Sequence, residues 1–117
     1  MTTTLLVVDG ANVVGSVPDG WWRDRHAAAV RLRDRLALYA EQHPDEEVVL
    51  VVEGRARGVE PLPGVRVEEA PGEGDDHIVA VAAGAAGPCV VVTADRELRR
   101  RVEESGARCV GPRTVYP

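Results

Sequence analysis

The chain contains no lysine: its 14 basic residues are all arginine, against 19 acids, for a net charge of −5. That absence removes every mechanism built on a lysine, including P-loop phosphate binding and the phospho-receiver domains that also place acids at strand ends. The negative balance argues against gripping nucleic acid by bulk electrostatics. Aromatic residues are only 3%, too few for a platform on which successive bases stack. There are 2 cysteines, Cys89 and Cys109, each inside an apolar, strand-like run and without CxxC or Cys/His spacing, so they read as small core residues and not as zinc ligands. No apolar run approaches the length of a membrane span. The start, Met-Thr-Thr-Thr, has no basic region or cleavage site, which leads us to expect a cytoplasmic and not a secreted protein. There is no G-x-S-x-G, and neither cysteine is placed as a nucleophile.

What the chain does have is Leu5-Leu6-Val7-Val8 ending abruptly in Asp9-Gly10, with Asn12 just beyond. A short continuous apolar run bounded by turn residues reads as a strand buried on both faces, typical of the centre of a parallel sheet. Its terminal carboxylate then lies at the sheet's carboxyl edge, where open α/β sheets bind ligands. Asp-Gly is also ordinary turn chemistry, and on this segment alone that reading stands equally. The pattern recurs, however. After a loop over residues 13–19 and a helix over residues 24–42, whose Ala29, Leu32, Leu36 and Tyr39 form one buried stripe, Val48 to Val52 runs into Glu53. Trp21 and Trp22 lead into that helix; one is expected to pack as a staple and the other to cover the crevice rim. A third strand over residues 65–67 is followed by Pro71-Gly72-Glu73-Gly74-Asp75-Asp76, opening a helix over residues 75–86. A fourth strand, Cys89 to Val92, leads to Thr93-Ala94-Asp95 and a helix over residues 95–105, and a fifth strand covers residues 107–110. Residues 111–117 form a tail without a readable place. With 117 residues the chain is expected to be one α/β domain, residues 1–117, in three α/β/α layers around a mainly parallel five-stranded sheet.

In a parallel sheet all these strand ends share one edge, so Asp9, Glu53, Asp75, Asp76 and Asp95 should converge. Each has a purely structural alternative, as a turn former, helix cap or solvated terminus. Two like charges 4 Å apart cost on the order of 4 kcal/mol at an effective dielectric near 20. Such a group is tolerated with raised pKa values or with cations between the acids. Carboxylates with an Asn oxygen make a hard, all-oxygen donor set, suited to Mg2+ or Mn2+, ions commonly used in phosphodiester chemistry.

Taken in order, Val-Val-Asp-Gly-Ala-Asn, Val-Val-Glu-Gly, Gly-Asp-Asp-His-Ile and Val-Thr-Ala-Asp-Arg-Glu-Leu resemble the NYN-domain, YacP-like branch of the PIN-like ribonucleases, from Leu5 to about Pro112. The resemblance implies strand order 3-2-1-4-5 and metal-dependent endonucleolytic cleavage of RNA, leaving a 5′-phosphate and a 3′-hydroxyl. It implies Asp9, Asp75 and Asp95 as metal ligands, with Asn12 positioning Asp9 or the substrate phosphate. Asp75 is preferred to Asp76 because the corresponding acid lies three residues before an aliphatic, here Ile78. Glu53 stands where an aspartate is expected, and its longer arm would shift or weaken a second ion.

Arg96, beside Asp95, is the preferred phosphate contact. Arg55 and Arg57 follow Glu53 on the same edge, and Arg23 and Arg25 would line the opposite wall. Arg99 and Arg100 read better as a solvated helix face paired with Glu97, Glu103 and Glu104. His77 reads as a surface residue. The expected partner is RNA, with ribosome-associated mRNA, tRNA or rRNA as candidate forms, and no membrane. A non-catalytic RNA-binding module and a toxin-type PIN ribonuclease remain the alternatives.

Overall fold

The structure, a computed structural model, describes residues 3–116; Met1, Thr2 and Pro117, the outer ends of the N-terminal segment and tail read above, lie outside the described residues. Strands β1 (Thr4–Asp9), β2 (Glu46–Val52), β3 (Val65–Glu69), β4 (Cys89–Val92) and β5 (Arg108–Val110) form one 5-stranded sheet in the order β3-β2-β1-β4-β5. Every neighbouring pair is parallel, so the strand order and the parallel sheet expected from the sequence are both met.

Residue parity divides the core in two. Leu6, Val8, Val48, Leu50, Val52, Val90 and Val92 face the crossover made by α1 (Gly10–Gly15) and α2 (Arg25–Gln42), where Val13, Val14, Ala28, Ala29, Leu32 and Leu36 are buried against them. Val7, Val49, Val51 and Val91 face the other way, onto Ile78 and Ala82 of α3 (Gly74–Ala83) and Leu98 and Val102 of α4 (Arg96–Glu104). Successive side chains of a strand point to opposite faces, so unbroken runs of valine and leucine suit strands covered on both sides.

The helix expected over residues 75–86 ends at Ala83 and the third strand runs on to Glu69, and two further segments differ in kind. Residues 10–15 form the short helix α1, which takes in the first three residues of the expected 13–19 loop, although Gly-Ala-Asn-Val-Val-Gly has little helix propensity. Tertiary structure overrides propensity here: Asp9 caps the helix, while Val13 and Val14 are buried. The tail also has a place. After a 3-10 turn at Pro112–Thr114, Val115 is buried in the α1/α2 side of the core. Tyr116 packs beside it, with the Arg35 guanidinium carbon 5.9 Å from its ring. The thiols of Cys89 and Cys109 are free and belong to the α3/α4 side of the core, as small apolar residues would. No helix among the described residues is long and apolar enough to cross a membrane.

Candidate functional site

The parity that sorts the core also aims the strand ends. Asp9 continues the row of Val7, Glu53 that of Val51, and Thr93 that of Val91, so all three face α3 and α4. Asp9 is 6% exposed and Thr93 is 0% exposed, and they are the buried polar residues of the described chain. A buried carboxylate requires partners. Thr93 Oγ1 donates to Asp9 Oδ2 at 2.9 Å, and the Asn12 amide approaches Oδ1 at 3.4 Å. The same threonine oxygen accepts from the Asp95 amide at 3.1 Å, while Asn12 Oδ1 accepts from the Ala94 amide at 2.8 Å. Asn12 therefore ties α1 to the loop after β4. That loop is also held by Arg99, whose Nε donates to the Thr93 carbonyl at 3.0 Å.

Gly10 makes this packing possible. A Cβ at that position would lie 2.5 Å from the carbonyl oxygen of Val51. Only a residue without a side chain lets the start of α1 pass so close to the end of β2.

Glu53 has a role that its place in the sequence does not disclose. Residue Glu73 at the N-cap of α3 makes no side-chain capping bond; the amide of Gly74 donates instead to Glu53 Oε2. A carboxylate at a helix N-terminus also complements the macrodipole. Glu53 thus anchors the helix that carries Asp75 at its next position. Asp95 is a cap as well, its Oδ1 accepting from the Leu98 amide at 3.0 Å. Asp95 therefore fills the capping role raised for it, whereas Asp9 caps α1 where a turn was the alternative and Glu53 binds the Gly74 amide where a solvated terminus was. Asp75 is the one of these acids without a side-chain hydrogen bond among the described residues.

The carboxylates influence one another. Burial pushes the Asp9 carboxyl up to about 6; the bonds from Thr93 and Asn12 oppose the rise, and the charges of Asp75 and Glu53 add to it. Asp75 is raised by burial and then by Asp95 and Glu53, against a lowering pull from Arg101. Asp76 stands apart, turned outward to Arg101 at 2.9 Å. His77 is paired with Glu68 at 2.7 Å, so it too is directed away from the acids.

The donor chemistry and mutual repulsion of Asp9, Asp75, Asp95 and Glu53 suit a hard divalent cation. As placed, however, no three His, Cys, Asp or Glu among the described residues stand close enough together to hold a metal ion. The edge supplies the charge and the oxygens, and the side chains of Asp9, Glu53 and Asp95 are arranged as caps.

The arginines divide similarly. Arg96 and Arg55 are exposed and make no ion pair or hydrogen bond among the described residues. Arg57 donates to the carbonyl of Ala70, a bond that closes the loop after β2. Arg100 is paired with Glu97 and Glu104, as expected of a solvated face. Arg23 and Arg25 flank the tryptophans, with guanidinium carbons 5.7 Å from the Trp22 ring and 5.2 Å from the Trp21 ring. Thr93 was not apparent from the sequence as a site residue, although its parity with Asp9 across paired strands is a usable signal.

No protein-family model matches the chain, and no curated protein matches it in sequence. Solved structures do. The crystal structure of Rae1 (YacP) from Bacillus subtilis aligns with a TM-score of 0.76, and that of a single-residue mutant of the same protein with 0.71. Each is 23% identical to this chain, and each alignment covers 93% of this chain and 69% of the other. This chain has the fold of Rae1 (YacP), and the YacP-like resemblance drawn from its motifs is met at that level.

Proposed function

We propose that this chain is a metal-dependent endoribonuclease that hydrolyses RNA phosphodiester bonds at the carboxyl edge of the sheet, with Mg2+ or Mn2+ as cofactor. The observation that carries this reading is Asp9, a buried carboxyl raised to about 6 beside further acids on the same edge. Burying a repelling acid costs stability, and a site that does so is a functional candidate. When bound, the ion would supply water activation and charge stabilisation at the phosphoryl oxygens. Asp9, Asp75 and Asp95, which the ion would have to draw closer together than they stand here, would hold it. Thr93 and Asn12 fix the position of Asp9, and Glu53 fixes α3 so that Asp75 faces the same space. Arg96, at the start of α4 next to Asp95, would orient the phosphate, and Arg55 would neutralise the strand further along. Asp76 and Arg57, both engaged elsewhere, take no part in this reading.

The second reading, a non-catalytic RNA-binding module, is favoured by one observation: most of these acids are already committed as caps. Cleavage of single-stranded and structured RNAs with Mn2+, with Mg2+ and with EDTA separates the two. The nuclease predicts metal-dependent products, lost by about 100-fold or more in Asp75→Asn and Asp95→Asn while RNA binding persists. Binding without cleavage under any metal condition would leave the module reading standing and remove the enzyme.

A further inference from the structure

On the α1/α2 side of the same edge lies a cavity of about 140 Å3, lined by Gly10, Val14, Trp21, Arg25, Val52 and Ala56, with Glu53 also in its lining. We propose that this pocket receives one unstacked base of the RNA, splayed out of the strand whose backbone crosses the carboxylates. This rests on the RNA reading above and adds a recognition element to it.

Size limits the occupant first. Sites for drug-sized ligands run to roughly 300–1,000 Å3, so this cavity admits a single ring-sized group. Its walls are apolar, from Val14, Ala29, Val52 and Ala56, and its charged side chains are one cation, Arg25, and one carboxylate, Glu53. A flat heterocycle with an apolar face and a polar edge matches that distribution. Proteins commonly read single-stranded RNA by splaying out bases, stacking them on aromatic rings or guanidinium planes, and hydrogen-bonding their edges. Trp21 and Arg25 provide both surfaces, with the guanidinium carbon 5.2 Å from the ring. Arg25 makes no ion pair among the described residues, so its donors are available to a base edge. The small aromatic content rules out a platform for successive bases and is sufficient for one pocket.

Position ties the cavity to the acids. Gly10 lines it and follows Asp9 directly; Glu53 lines it too and also acts on Asp9 and Asp75. A nucleotide seated here therefore holds its neighbouring phosphates at the carboxylates. The pocket would fix which phosphate is presented, and so the position of cleavage.

The test is a set of short single-stranded RNAs, each with one abasic nucleotide at a different position, bound by the full chain in EDTA and followed by fluorescence anisotropy. One abasic position should weaken binding on the order of ten-fold, the loss expected for a single stacked base. In Ala56→Leu, which fills the cavity, the intact RNA should bind as weakly as that abasic RNA, and the scan should be flat. Arg25→Met, at an exposed helix start, should reduce the same penalty without disturbing the core. A flat scan in the unmodified chain, or a penalty that survives both variants, overturns the pocket. Cleavage with a flat scan overturns the pocket alone; a position-specific penalty with no cleavage supports the pocket and removes the nuclease. A chain that binds no RNA overturns both.

Discussion

The two sides of the sheet's carboxyl edge are built on the same strands and carry opposite chemistry. Toward α3 and α4 stand Asp9, Thr93, Asp75 and Asp95, polar groups joined by hydrogen bonds and mutual repulsion. Toward α1 and α2 the edge is apolar, with Val14, Val52, Ala56 and Trp21 around a small cavity. One residue of register separates them, because neighbouring positions on a strand face opposite ways. The sheet therefore places a charged wall and an apolar wall back to back, and under the proposed function a strand of RNA would meet both together.

The charged wall is the costlier of the two, and removing its charge should reveal that. Asp9 has a folded-state pKa of about 6 against 3.8 for the free side chain. A raised carboxyl pKa means the folded state holds its proton longer, so stability is lost as pH rises between 3.8 and about 6. Above that window the ionised Asp9 costs about 3 kcal/mol, each pKa unit being worth about 1.4. Asp9→Asn, still able to cap α1, should raise Tm by several degrees at pH 7 and lose that advantage near pH 4. Thermal melts at the two pH values check this; equal melting of the two proteins at pH 7 would mean that Asp9 is not strained by its charge.

The apolar wall depends on Gly10, where α1 passes the Val51 carbonyl. Gly10→Ala should destabilise by roughly 2 kcal/mol or more, since the obstruction is backbone and cannot swing aside. Denaturant unfolding reads this directly, and a change below about 0.5 kcal/mol, the range of ordinary surface substitutions, would show that the close approach is relaxed in solution. Thr93→Val should have a smaller effect, roughly 1–2 kcal/mol, because it strips one donor from Asp9 and one acceptor from the Asp95 amide. It should also widen the difference between the walls by freeing Asp9 from its strand neighbour, which would appear as a further rise in the Asp9 pKa by NMR titration.

Much of this arrangement was legible in the chain. The runs at Leu5–Val8, Val48–Val52 and Cys89–Val92 are apolar without alternation, which means strands covered on both faces, and an acid or threonine follows each. The helix at Arg25–Gln42 was visible from its buried stripe and starts one residue inside the expected bounds, and that at Arg96–Glu104, with Asp95 as its cap, lies one residue inside them at each end. Helix α1 was not legible, because two glycines, an asparagine and two β-branched valines carry no local helical signal. Glu53 read as a possible ligand with an awkwardly long arm. Its length is what lets it reach the Gly74 amide, a contact between residues 21 apart that no local pattern encodes. Asp75 and Asp76 are adjacent and alike, and the preference for Asp75 rested on the resemblance alone; in the fold Asp76 turns to Arg101, while Asp75 feels the charges of Asp95 and Glu53. The cavity at Trp21 was equally hidden, since its walls come from α1, α2 and the turn after β2.

The most direct measurement is a thermal melt of the unmodified chain at pH 7 with and without Mn2+, repeated with Mg2+ and with Asp75→Asn. A cation seated among these acids stabilises the folded state by RT ln(1 + [L]/Kd), about 2.7 kcal/mol at a hundred-fold excess over Kd. The expected result is a rise in Tm that depends on ion concentration and is largely lost in Asp75→Asn. A flat response to both ions, or a rise undiminished in the variant, would contradict the claim that this edge gathers its carboxylates to hold a metal.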